Sequence, residues 1–293
     1  IEQDARCFFH DYKLFAELLS WIRTYNLAHV RKVHFGGFDG MPIPQFALSQ
    51  YYSILMDEGA LIPYLELIKN RKFDELLEQT KSNVHLKKRL DSESFEYLLS
   101  MLQRIIHDRS FIVHDKKERD FEMADRVRNA VEIFLKDGEK AILHAHSGHL
   151  TKKPIIGGYC FPMGHFLNDW YGDNYFSISH QVARGAYTDN ECDQISNFSA
   201  VCSLSKSLPQ SFESVSLSSG FDYFYYPSLH LGDKIVLLNQ IGRNSCNRKK
   251  EVFMSLKGHF DGYVFIRESE PLRDVDNNPV SYMMEYVTST KYK

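Results

Sequence analysis

This chain has no cysteine pair at the C-x-x-C spacing, and that absence excludes a zinc knuckle and a thioredoxin-type redox motif. Its five cysteines, Cys7, Cys160, Cys192, Cys202 and Cys246, are odd in number and widely scattered. They are expected to be free thiols, which favours a reducing, cytoplasmic compartment. No apolar stretch approaches the ~20 residues that a membrane-spanning helix needs, and no signal peptide is visible. An excess of one charge is also missing: 35 basic against 38 acidic residues leave a formal charge of −3, so neither nucleic acid nor an anionic membrane is expected as a partner. There is no G-x-S-x-G elbow for a serine nucleophile. The glycines of "GGFDG" and "IIGGY" lack the spacing of a phosphate or dinucleotide loop, so no nucleotide cofactor is expected. Internal repeats and low-complexity tracts are absent as well.

What is present is a globular composition. With 293 residues, 43% of them hydrophobic, the chain can bury roughly three quarters of its unfolded surface. From Asp4 to Tyr25, apolar residues including Phe8, Tyr12, Phe15, Leu18 and Ile22 recur at steps of three and four, the stripe of an amphipathic helix. "RKVHFGGFDG" (31–40) follows as a β-favouring segment running into a glycine turn that holds Asp39. Such an acid at a strand end often faces a cleft in α/β folds. Residues 41–115 are helical in pattern throughout and read as a helical insertion or cap, with charge runs such as "KNRKFDE" and "HLKKR" on solvated faces.

Residues 116–293 form the α/β portion. Met123, Ala124 and Val127 mark the buried stripe of a helix, Gly138 stops it, and "AILHA" reads as a short buried strand. "YFSISHQVARGAYT", "KIVLLNQI" and "DGYVFIRES" read as further strands, and the serine-rich stretch 196–220 as a long surface loop with one helical turn. The expected fold is one α/β domain over residues 1–293, with a central parallel or mixed sheet flanked by helices.

"AILHAHSGHL" (141–150) places His144, His146 and His149 within six positions. On a strand His144 and His146 share a face, and a turn through Ser147 and Gly148 brings His149 back beside His146. Paired imidazoles can share acid/base work, bind a metal with a carboxylate such as Asp39, or donate to a developing oxyanion. They can also be satisfied structural histidines. Arg119 and Asp120 open the helix upstream: the acid suits the helix dipole, and the arginine is either a surface charge or a fixed cation for a carboxylate or oxyanion. Cys160 beside "GGY" reads as an inert thiol.

Seven segments in order, "LLSWIRTYN" (18–26), "VHFGGFDG" (33–40), "RDFEMADRV" (119–127), "AHSGH" (145–149), "MGHFL" (163–167), "ISHQVARGAY" (178–187) and "FDGYVFIRE" (260–268), resemble the erythromycin esterase-like family, which includes proteins labelled succinoglycan biosynthesis proteins. The resemblance implies a deep polar cleft and hydrolysis of an ester or lactone by activated water, with no metal or cofactor. It implies catalytic roles for His146, His149 and Arg119, with Asp39, His144, Asp120 and Met163 on the substrate side. The sequence departs from the family pattern in three ways. Ser147 stands where an asparagine is usual and His144 where a tryptophan is common, and the Gly-Glu-x-x-His motif that supplies the family's general base is not found. The chain opens at Ile1 without a methionine, so two expectations stand: an upstream segment carries the motif, or the protein is degenerate and binds a ligand without turning it over. The expected partner is a small-molecule ester, lactone or saccharide-like ligand, with the 17 Tyr and 21 Phe suited to sugar stacking as well as to the core. Metal-assisted hydrolysis and a non-catalytic binding protein remain the alternative readings.

Overall fold

The computed structural model describes residues 12–39, 44–107, 116–154, 161–190, 199–204, 207–231, 235–240 and 250–270. Cys7, Cys160 with "IIGGY", Cys192 and Cys246 lie outside the described residues. Two compact units emerge, residues 34–144 and residues 1–33 with 145–293.

The first unit is helical. Its elements are α2 (Pro44–Leu55), α3 (Glu58–Lys69), α4 (Phe73–Ser82), α5 (Val84–Arg89), α6 (Ser92–His107) and α7 (Lys116–Phe134). The apolar stripes of α2 to α6 converge on one core around Tyr52, Ile68, Leu76, Leu86 and Leu102. Tyr52 is fully buried, and its hydroxyl shares a 2.5 Å hydrogen bond with Thr80, which removes the cost of burying it unpaired. Asn83 ends one helix and starts the next: its side-chain oxygen accepts from the backbone N–H of His85 and Leu86 at 2.9 and 3.0 Å. On α7 the buried residues are Met123, Ala124 and Val127, the stripe the spacing predicts.

The second unit holds the sheet. It contains α1 (Tyr12–Ala28), the single turn α8 (Ser147–Leu150), α9 (Met163–Tyr171), β1 (Ile178–Asn190), β2 (Ser199–Ser203), α10 (Phe212–Leu217), β3 (Tyr223–Pro227), β4 (Ile235–Gln240), β5 (Lys250–Ser255) and β6 (Gly262–Ser269). The sheet order is β2-β1-β6-β3, with β1 and β6 parallel and the two outer pairs antiparallel, so the sheet is mixed. Strands β4 and β5 form a separate antiparallel pair. Along β1, Ser179, Gln181 and Ala183 are buried while His180 and Arg184 are exposed, the period of two expected of a strand with one covered face. That face joins Tyr263 and Phe265 of β6, Phe212 of α10 and Leu238 of β4 in one core.

Three expectations are corrected. Residues 141–146 form no strand; Ile142 is 96% exposed and the segment runs as irregular chain into α8. Residues 33–39 likewise form none. A short apolar run becomes a strand only where a neighbouring strand takes up its backbone hydrogen bonds, and neither segment has one among the described residues. Within the serine-rich stretch, α10 stands as the expected helical turn and β2 is a strand where loop was expected; Ser211 caps α10 through a 3.1 Å bond from the Ser214 N–H, and Phe212 is buried in the core. Among the described residues, no helix is long and apolar enough to cross a membrane.

Candidate functional site

The turn α8 carries the motif histidines. His146 is its N-cap, and its Nδ1 accepts the Gly148 N–H at 3.1 Å. A neutral imidazole that accepts through Nδ1 carries its proton on Nε2, so His146 presents a donor there. The His149 N–H donates to the His146 carbonyl at 2.9 Å, closing the turn, and the two rings meet edge-on with centroids 6.5 Å apart. His146 is exposed and His149 half-buried.

The C-terminal end of the turn is held from three sides. The Leu150 carbonyl accepts from the Tyr175 hydroxyl at 2.8 Å and the Ser177 hydroxyl at 2.7 Å. Burial pushes the Tyr175 hydroxyl up to about 12, so it stays a donor at any physiological pH. Lys152 donates its backbone N–H to the His259 carbonyl at 2.8 Å and pairs through Nζ with Asp261 at 2.7 Å. The other Asp261 oxygen accepts the Ser177 N–H at 2.7 Å, which ties the start of β1 to the start of β6. The third side is α9, where Gly164 meets the Leu150–Thr151 backbone so closely that a Cβ would lie 2.3 Å from the Leu150 oxygen. Thr151 and His259 are both buried, and they join through Thr151 Oγ1 and His259 Nδ1 at 3.0 Å. Burial, and secondarily the Lys153 charge, hold His259 below the ordinary imidazole range.

In the helical unit, Arg119 grips Asp39 side-on. Its Nε donates to Oδ1 at 3.1 Å and its Nη2 to Oδ2, a bidentate pair that raises the guanidinium pKa chiefly through these bonds. Arg126, two helical turns further along α7 and therefore on the same face, donates to the Phe38 carbonyl at 3.3 Å. Tyr97 of α6 donates to the Gly37 carbonyl at 3.3 Å. Three side chains thus fix residues 37–39 where a regular strand does not.

A family model described as Erythromycin esterase matches residues 65–269, well over half of the chain. The chain belongs to the erythromycin esterase family. No curated protein matches the sequence. Among solved structures, a Bacillus cereus protein aligns with a TM-score of 0.62 and 20% identity over 89% of this chain and 74% of its own. A succinoglycan biosynthesis protein aligns at 0.61 and 17%, over 88% and 71% of the two chains. An EreC erythromycin esterase variant in its open conformation aligns at 0.51 and 18%, over 90% and 76%. At these identities the likeness shows the fold.

Set in the erythromycin esterase family, the expected site residues fall into two groups. Arg119, Asp39, Asp120 and His144 belong to the helical unit, and His146, His149 and Met163 to the sheet unit. Arg119 is brought onto Asp39, and His146 onto His149. Asp120 is buried at the start of α7, and His144 is exposed on irregular chain. Met163 opens α9 fully buried, where it packs and presents no surface to a ligand. Both oxygens of Asp39 are taken by Arg119, and among the described residues no three His, Cys, Asp or Glu side chains come together as a metal site.

Sequence reasoning missed Thr151, Lys152, His259 and Asp261. The one available signal was the acid before a β-run in "FDGYVFIRE". It names Asp261 but not its partner.

Proposed function

We propose that this protein is a hydrolase that cleaves a small-molecule ester or lactone by attack of water. The observation that carries the reading is the His146–His149 turn in a chain of the erythromycin esterase family: two imidazoles on one short turn, one of them presenting a defined donor. In the attack, the water oxygen bonds to the acyl carbon and the carbonyl oxygen becomes an oxyanion. The His146 Nε2–H is the donor for that charge, and His149 orients the water. Collapse of the tetrahedral species breaks the acyl C–O bond, and the leaving alkoxide takes up the proton that the general base removed from the water. Proton removal from the water falls to the general base that the family resemblance places in a Gly-Glu-x-x-His segment, which residues 1–293 do not contain. The family resemblance also gives Arg119 the role of a fixed cation, and within the helical unit Asp39 holds it in one orientation.

The test is a pH-stat assay of a panel of macrolides, simple lactones and aryl and sugar esters with the native protein. Hydrolysis of at least one ester is expected, with His146→Ala and His149→Ala each lowering kcat by about 10²–10³-fold. A protein that hydrolyses none of them, or a His146→Ala variant at full rate, refutes the proposal.

A further inference from the structure

The turn that carries His146 and His149 cannot hold its own shape. It is a four-residue helix, and a nucleus of that size is unfavourable in isolation because few hydrogen bonds repay the ordering of its backbone. Its conformation is imposed by what binds its C-terminal end, and the most buried of those contacts joins Thr151, 0% exposed, to His259, 6% exposed.

The contact closes a small buried network. The Thr151 hydroxyl lies 3.0 Å from His259 Nδ1, 3.0 Å from the Lys153 carbonyl and 3.4 Å from the His259 carbonyl. The two carbonyls can only accept, and the hydroxyl and the imidazole nitrogen share one bond, one of them donating to the other. The Lys152 N–H bond to the His259 carbonyl runs beside it. His259 is itself anchored, since the next residue, Phe260, packs in the sheet core with Tyr263.

We propose that Thr151 and His259 are positioning residues that lock the His146–His149 turn against the sheet, a role in turnover that rests on the hydrolase reading above. Neither touches substrate; each acts through the backbone that carries His149.

The experiment compares wild-type protein with Thr151→Val, Thr151→Ser, His259→Asn and His259→Gln. Val keeps the shape of Thr without its hydroxyl, and Ser restores the hydroxyl. Asn places an N–H donor where the histidine has Nδ1, and Gln places one where it has Nε2. The readouts are the imidazole NMR signals of His146 and His149, amide exchange at His149 and Thr151, and kcat and KM on any ester found. Thr151→Val and His259→Gln are expected to shift both imidazole signals, speed exchange at the two amides about tenfold or more, and lower kcat about tenfold with KM little changed. Thr151→Ser and His259→Asn are expected to stay close to wild type. If Thr151→Val does not fold, the Asn and Gln pair alone decides. Folded Val or Gln variants with unmoved imidazole signals, or Asn and Gln behaving alike, overturn the proposal. If the signals follow the predicted pattern while wild-type protein hydrolyses no ester, the hydrolase reading falls and the positioning geometry stands.

Discussion

Replacing Gly164 by alanine sets two physical effects of opposite sign against each other. Gly164 lies in the first turn of α9. Helix propensity alone predicts that alanine there stabilises the fold by up to about 1 kcal/mol, because glycine loses more backbone freedom on folding. Tertiary contact predicts the reverse. The new Cβ would lie 2.3 Å from the Leu150 oxygen, 2.5 Å from its carbonyl carbon and 2.6 Å from the Thr151 oxygen, all of them backbone atoms and all inside the 3.0 Å that real Cβ contacts observe. The Leu150 oxygen cannot easily retreat, since the Tyr175 and Ser177 hydroxyls both hold it. Overpacking of this kind costs about 1–3 kcal/mol, and more when backbone must move. The contact outweighs the propensity gain, so a net loss of about 1–2 kcal/mol is expected, a fall in Tm of roughly 2–8 °C for a chain of this size. Gly59 in α3 supplies the control: a Cβ there meets nothing within 4 Å, so Gly59→Ala is expected to be neutral or stabilising. Thermal unfolding of the two variants beside wild type settles the point. A Gly164→Ala protein as stable as wild type would mean that α9 does not press on the histidine turn.

Two further outcomes follow from the polar contacts. Arg119→Lys keeps the charge but loses the fork that holds both Asp39 oxygens. The pair is partly exposed, so a stability loss of only about 0.5–1 kcal/mol is expected in urea unfolding, and a loss above about 3 kcal/mol would show that the contact is worth more than a partly exposed pair. His259 is held below its ordinary value of 6.5 by burial and by Lys153, so the unfolded chain takes up the proton first as pH falls. The stability contributed by the neutral buried ring is complete above about 6.5 and is lost as pH drops from there to the lowered native value, with no further loss below it. Urea midpoints of wild type and His259→Asn between about pH 5 and 8 should therefore diverge only in that window, and a pH-independent difference would contradict the burial argument.

Local pattern determined the parts of this protein that depend on neighbours in sequence. The spacing of Met123, Ala124 and Val127 marked the buried stripe of α7, and the same helical period put Arg119 and Arg126 on one face. The alternation in "ISHQVARGAY" and "GYVFIRES" marked β1 and β6. The proximity of His146 to His149 was legible as well, because Ser147 and Gly148 favour a turn and residues three apart on a turn are neighbours once it forms. Pattern failed wherever a distant partner decides. "AILHA" has the composition of a buried strand, yet an apolar run becomes one only by pairing, and the chain there is exposed. Within the serine-rich stretch, Ser211 and Phe212 acquired a cap and a core position that composition hid. Asp39 read as a strand-end carboxylate, and its partner Arg119, 80 positions away, was not legible from it. Thr151 and His259 stand 108 positions apart, and no periodicity of 2 or 3.6 residues reaches that far. The sequence determined which residues could share a face; only the tertiary structure decided which faces, and which buried donors and acceptors, had to meet, because an unpaired polar group inside a protein must find a partner wherever the chain supplies one.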